Sequence, residues 1–81
     1  MKQSINKPVN VTVVGFDKNT QIYPRQIELD GETYSFIDSG IRCTIRKGDK
    51  LTSILNVSDG TRDFRLRSGE SGMWTLLSVS S

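Results

Sequence analysis

The chain has 81 residues, with 11 lysines and arginines against 9 acidic residues, one cysteine and no histidine. A chain this short forms one small domain with little interior left for a deep substrate cleft. The lack of histidine excludes Ser-His-Asp and Cys-His catalysis and histidine-ligated zinc, and one cysteine builds neither an internal disulfide nor a structural zinc site.

The chain contains no apolar segment of targeting or membrane-spanning length. Residues 1–7 lack the apolar region of a secretory signal, and the longest apolar runs fall far short of the ~20 residues of a transmembrane helix. We therefore expect a cytoplasmic protein that does not engage a membrane. We also expect it to use no cofactor.

Short runs of β-branched and aromatic residues separated by turn signals predict strands in the first half of the chain. The first strand covers residues 7–16, with a bulge at Gly15. The second covers residues 21–30, where Pro24 indicates an edge or a bulge because proline cannot donate to a ladder. Asp30-Gly31 is a hairpin signal that leads into a third strand over residues 32–37.

The second half of the chain predicts four more strands. In the fourth, residues 41–47, an apolar set alternates with Arg42, Thr44 and Arg46, so we expect Ile41, Cys43 and Ile45 to face the core. The fifth, residues 50–58, has an ambiguous phase because Ile54 and Leu55 are adjacent. The sixth, residues 61–67, sets Phe64 and Leu66 against Arg65 and Arg67. The seventh, residues 73–79, turns Trp74 and Leu76 inward.

Six or seven short strands predict an all-β fold in which a bent antiparallel meander closes into an SH3-like barrel, because closure removes unpaired edges. A compact β-sandwich is the alternative. We predict a single domain over residues 1–81, frayed at about 1–6 and 80–81, and we expect it to be a monomer.

Basic residues concentrate in the predicted fourth to sixth strands. By their phase, Arg42, Arg46, Arg65 and Arg67 face solvent together, and guanidinium groups bind phosphates without sequence preference. These four arginines are the predicted nucleic-acid-binding residues. The competing interpretation is an ordinary solvated sheet face, which is the more frequent reason for such a pattern.

Other candidate sites are weaker. Glu28, Asp30 and Glu32 flank one turn, but their spacing does not match an EF-hand loop. Cys43 is expected to be an inert buried thiol. Only Tyr23 and Trp74 are candidates for exposed base-stacking, and the core is the favoured position for Trp74. We therefore predict no catalytic residue and no metal site.

Several short motifs spread over most of the chain resemble a group of small uncharacterised bacterial β-proteins, found mainly in Firmicutes. The residues that carry the resemblance are Lys7-Pro8-Val9, Val11, Val13, Phe16-Asp17-Lys18-Asn19, Pro24, Ile27, Asp30-Gly31, Tyr34, the run Gly40-Ile41-Arg42-Cys43-Thr44-Ile45-Arg46, and Trp74. The connection between the third and fourth strands is shorter here than in that group. The resemblance implies a bacterial cytosolic β-domain and transfers no site.

The sequence thus predicts a small non-catalytic binding module that contacts nucleic-acid phosphates through an arginine-rich sheet face. The alternative is a protein-interaction or accessory domain that uses a sheet edge near Pro24 or the loop over residues 68–72.

Overall fold

The computed structural model describes residues 2–69 and 72–81, and these residues form an all-β fold as predicted. No helix within them is long and apolar enough to cross a membrane. The strands are β1 (Lys2–Phe16), β2 (Ile22–Leu29), β3 (Glu32–Ser35), β4 (Ile41–Lys47), β5 (Lys50–Ser58), β6 (Asp63–Ser68) and β7 (Trp74–Ser80).

All seven strands belong to one antiparallel sheet in the order β3-β2-β1-β7-β6-β5-β4. The order is therefore not one continuous meander. Two meanders, β1 to β3 and β4 to β7, are joined by pairing of the first strand with the last. Among the described residues no ladder joins the terminal strands β3 and β4, so the sheet is open. The SH3-like barrel stays a prediction that these ladders do not confirm.

Strand β1 connects the two meanders because its two halves pair with different strands. Lys2 to Val9 pair with β7, and Asn10 to Phe16 pair with β2. The sequence predicted fraying at residues 1–6 and 80–81, whereas Lys2 pairs with Ser80. The register shifts between Val11 and Val14 and not at the predicted position, Gly15. A Cβ at Gly15 would lie 2.7 Å from the ring of Tyr23, so this glycine makes room for an aromatic side chain.

Both meanders contribute to one core. Residues Tyr23 and Ile27 of β2 cluster with β5, β6 and β7 side chains. The ring centroid of Phe64 lies 5.3 Å from that of Tyr34 and 5.1 Å from that of Phe36. The cluster consists of Val9, Tyr23, Ile27, Phe36, Leu55, Val57, Phe64, Leu66, Trp74 and Leu76. Trp74 is therefore a core residue, as predicted, and Tyr23 is buried instead of exposed.

The face of β4–β7 that carries Leu55, Leu66 and Leu76 is the core face, and the opposite side is called the outer face below. Ile54 and Leu55 are both buried, but Leu55 settles the ambiguous phase of β5 because it belongs to the core cluster and pairs with Leu66. Ile54 points to the outer face, where it pairs with Arg67.

The predicted orientation of β4 is wrong. Arg42 pairs directly with Leu55 and so lies on the core face, while Ile41 and Ile45 are 74% and 50% exposed on the outer face. Cys43 is also exposed. Alternation requires only that the two sets of side chains point to opposite faces; which face is covered depends on the rest of the fold.

Candidate functional site

The outer face of β4–β7 carries exposed basic side chains from several strands. Arg65 and Arg67 lie on β6, and being two residues apart on one strand they are separated by about 7 Å. Lys2 of β1 pairs with Ser80 at one corner of this face. Lys47, at the end of β4, shares the side of Cys43 and Ile45 and lies at the opposite corner. Asp63 is the acidic residue beside Arg65 on the same strand.

Arg65 has two polar cross-strand neighbours, whereas Arg67 lies between a threonine and the buried Ile54. Arg65 pairs across the sheet with Asn56 and Ser78, and Arg67 pairs with Ile54 and Thr75. Within residues 2–69 and 72–81, neither arginine forms an ion pair. Both arginines face solvent, as their phase in the sequence predicted, and within the described residues no carboxylate pairs with either guanidinium group.

Arg42 has a different role from the one predicted. Its Nη2 donates to the carbonyl oxygen of Ile22 at 2.7 Å, and its Nε lies 3.9 Å from Asp17 Oδ2. The guanidinium carbon is 5.9 Å from the ring centroid of Trp74. Because both charged side chains are largely buried, at 16% and 14% exposure, this arginine is part of the packing between β4 and the β1–β2 hairpin.

Arg46 shares the core-face side of β4 with Arg42, since both pair with leucines of β5 on that side, Leu51 and Leu55. It is exposed, because it lies beyond the end of the core. The four predicted arginines thus divide between the two faces of the sheet, Arg42 and Arg46 on one and Arg65 and Arg67 on the other. The structure does not bring them together as one surface.

Lys2 and Lys47 are among the basic outer-face residues that were not predicted from the sequence. Lys2 joins the face only because the start of β1 pairs with the end of β7, a contact between opposite ends of the chain. Lys47 was not assigned to either face, and its position follows from its pairing with Lys50 on the side of Cys43 and Ile45. No local sequence signal identifies Lys2 as part of this face.

The end of the β4–β5 hairpin projects from the folded body. β6 pairs with β5 only from Ile54 onward, so residues 44–47 and 50–53 form a ribbon of two strands. Ile45 and Leu51 are exposed on opposite sides of it. The Ser53 amide donates to Ser68 Oγ at 3.0 Å, which marks where the ribbon leaves the body. The ribbon extends the outer face by Ile45 and Lys47.

Other charged side chains of the described residues contact partners elsewhere on the protein surface. The guanidinium of Arg62 lies 5.3 Å and 5.4 Å from the ring centroids of Tyr34 and Phe64, and its Nη2 is 3.2 Å from Asp59 Oδ2. Backbone hydrogen bonds from Thr61 and Arg62 lower the pKa of Asp59 to about 2. Lys7 Nζ is 3.4 Å from Asp30 Oδ2. These groups stabilise turns and strand contacts away from the outer face.

The remaining predicted surfaces give little support for another site. The side chain of Pro24 is fully buried, so Pro24 itself cannot contact a partner at the predicted edge. The predicted loop over residues 68–72 includes residues 70 and 71, which lie outside the described part of the chain. A polar groove of about 380 Å³ separates the β1–β2 turn from the start of β4, and Arg42 forms part of its wall. Within the described residues no group of metal-ligating side chains occurs.

Comparisons with known proteins give no likeness on which to base a function: no family model, no curated protein and no solved structure matches the chain.

Proposed function

We propose that this domain is a non-catalytic module that binds nucleic acid by its phosphates, through the outer face of β4–β7 and the start of β1. The observation that carries the proposal is the position of Arg65 and Arg67. They lie side by side, exposed and without ion pairs within the described residues, on a face that also holds Lys2 and Lys47. Guanidinium groups bind phosphate oxygens bidentately, and lysines add charge without strict geometry.

The side chains of this face favour backbone contacts over base recognition. The aromatic residues Phe64 and Trp74 of β6 and β7 are buried on the core face, so neither offers a surface on which a base stacks. We therefore expect similar affinities for duplexes of different sequence, and binding that weakens steeply as salt rises. The logarithm of the binding constant should fall with the logarithm of the salt concentration with a slope of about −3 to −4, if four side chains contact phosphates. These side chains are Lys2, Lys47, Arg65 and Arg67.

The test is a titration of labelled duplex DNA and RNA over a range of salt concentrations. Arg65→Ala and Arg67→Ala should each weaken binding to all sequences alike and reduce the salt slope by about 1. Arg25→Ala is the matched control, because Arg25 is exposed on β2 and its loss removes the same charge from a different surface. Equal effects of all three variants, or no binding at low salt, would contradict the proposal.

A second function is favoured by a separate observation. The outer side of β4 exposes Ile41 and Ile45 at a sheet edge to which, among the described residues, only β5 pairs, and such an edge suits contact with protein more than with phosphate.

A further inference from the structure

Strand β4 lies at one edge of the sheet, where Arg42 contacts the β1–β2 hairpin from the core face. It is the last strand in the sheet order, and among the described residues only β5 pairs with it. Each unpaired edge of a sheet presents a row of backbone amides and carbonyls to which another strand can pair. The other terminal strand, β3, has four residues and begins with Glu32, whereas β4 has seven. The longer edge is therefore the more open to another strand.

The side chains along β4 favour such pairing. Ile41 is 74% exposed, Ile45 is 50% exposed, and Cys43 between them is exposed. All three point to the outer face, so they form one apolar row along the edge. Charged residues commonly protect natural edges, and here they are absent from the middle of this row.

The sequence of β4 is complementary to a second copy of itself. In an antiparallel pair related by a two-fold axis at Cys43, Ile41 of one copy opposes Ile45 of the other and Cys43 opposes Cys43. On the core-face side of the same pair, Arg42 opposes Thr44. Moving the axis to Thr44 would place Arg42 opposite Arg46, and like charges in direct opposition destabilise a strand pair. Charge and shape therefore select the register at Cys43.

We propose that this chain forms a symmetric dimer by antiparallel pairing of β4 with β4 of a second copy, in the register centred on Cys43. A two-fold axis perpendicular to the plane of the sheet keeps both outer faces on the same side of the continuous sheet. The dimer thus presents two copies of the basic outer face in one surface. The proposal differs from the monomer expected from the sequence, and it does not depend on nucleic-acid binding.

The first test is the mass of the protein by sedimentation equilibrium over a range of concentrations, without nucleic acid. We expect the mass to approach twice the 9.1 kDa of one chain as concentration rises. Ile45→Lys and Ile41→Lys should return it to 9.1 kDa, because each places a charge in the apolar row. Leu51→Lys is the control, since Leu51 is 68% exposed on the neighbouring strand and faces the other side. A wild-type mass of one chain at every concentration overturns the proposal.

The second test reports the register. Residues directly opposite in an antiparallel pair have Cα atoms about 4.5 to 5.5 Å apart, a separation that a disulfide spans. Mild oxidation should therefore link Cys43 of the two copies into a covalent dimer on a non-reducing gel. The control carries Cys43→Ser with Leu51→Cys, which moves the thiol to an exposed position outside the paired edge. If the protein has the mass of a dimer but the wild type and the control cross-link equally, another surface mediates association. That result would overturn the proposal.

Because both tests omit nucleic acid, their outcome is separate from that of the salt titration. A protein that binds duplexes as a monomer contradicts the dimer alone, and a dimer that does not bind duplexes contradicts only the proposed function.

Discussion

Arg42 connects two parts of the sheet that no described ladder joins. Its guanidinium donates to the carbonyl of Ile22 at the start of β2 and approaches Asp17 in the β1–β2 turn. The same Asp17 accepts hydrogen bonds through Oδ1 from the amides of Asn19 and Gln21, each at 2.9 Å. One carboxylate thus shapes the turn and contacts the arginine of a distant strand. The guanidinium carbon also lies 5.9 Å from the ring centroid of Trp74, within the range of a cation–π contact.

We expect Arg42→Ala to lower the free energy of unfolding by about 2 kcal/mol, because it removes a hydrogen bond from a charged donor together with packing against Trp74. Arg46→Ala is the matched control on the same side of the same strand. Its side chain is exposed, so the change should stay within about 0.5 kcal/mol. Urea unfolding followed by tryptophan fluorescence measures both variants. Equal midpoints would show that the Arg42 contacts do not stabilise the fold.

The turn between β5 and β6 is organised around Asp59. Its Oδ1 accepts from the amides of Thr61 at 2.9 Å and Arg62 at 2.7 Å, and from the Thr61 hydroxyl at 3.1 Å. These hydrogen bonds favour the charged carboxylate and lower its pKa from 3.8 to about 2. The turn places β6 next to β5, and so positions Arg65 and Arg67 on the outer face.

The pKa of Asp59 predicts how stability depends on acid. Because the folded-state pKa lies below the unfolded-state value, the contribution of Asp59 is fully present above about pH 4 and is lost as pH falls from 3.8 toward about 2. Asp59→Asn should therefore be less stable than the wild type at neutral pH, and its stability should fall less across this window.

Thermal melts at closely spaced pH values provide the measurement for Asp59. Asp49→Asn is the control, because Asp49 is an exposed aspartate in the turn between β4 and β5 and its substitution removes the same charge. Parallel curves for the wild type and Asp59→Asn between pH 3.8 and 2 would contradict the assignment.

The molecule as a whole depends on a short connection between the two ends of its sheet. The chain leaves β3 and reaches β4 through residues 36–40. The Phe36 amide donates to the carbonyl of Arg25, and the Ile37 amide donates to that of Ser58, each at 2.9 Å. Gly40 then enters β4 with φ +64°, and a Cβ there would lie 1.9 Å from the carbonyl oxygen of Asn56. Both conformation and space require glycine at this point.

Gly40→Ala should lower the free energy of unfolding by about 3 kcal/mol, since it combines backbone strain with a clash against main chain. Gly48→Ala is a closely matched control. Gly48 has φ +63°, and an added methyl group there meets open space, so only the strain of about 1 kcal/mol applies. Urea midpoints of the two variants give the difference. If both cost the same, the contact with Asn56 does not limit this connection.

Local patterns predicted most of the strands and part of the core. The alternation of Phe64 and Leu66 against Arg65 and Arg67 placed all four residues correctly, because β6 lies between two partners and has one covered face. In β4 a cleaner alternation led to the wrong face. That strand is an edge whose core-facing position is filled by Arg42, and an exposed apolar row occupies the other side. Hydrophobicity indicates the covered face only where packing covers one.

The sequence by itself determined that this chain is all-β, where most of its turns lie, and that Arg65 and Arg67 face solvent. These properties follow from backbone preferences and the two-residue period of a strand, which act over a few neighbouring residues. The tertiary structure decided the strand order, the open edge at β4 and the inward position of Arg42. Each of these depends on contacts between distant residues, such as Lys2 with Ser80 and Arg42 with Ile22, for which the local sequence carries no signal.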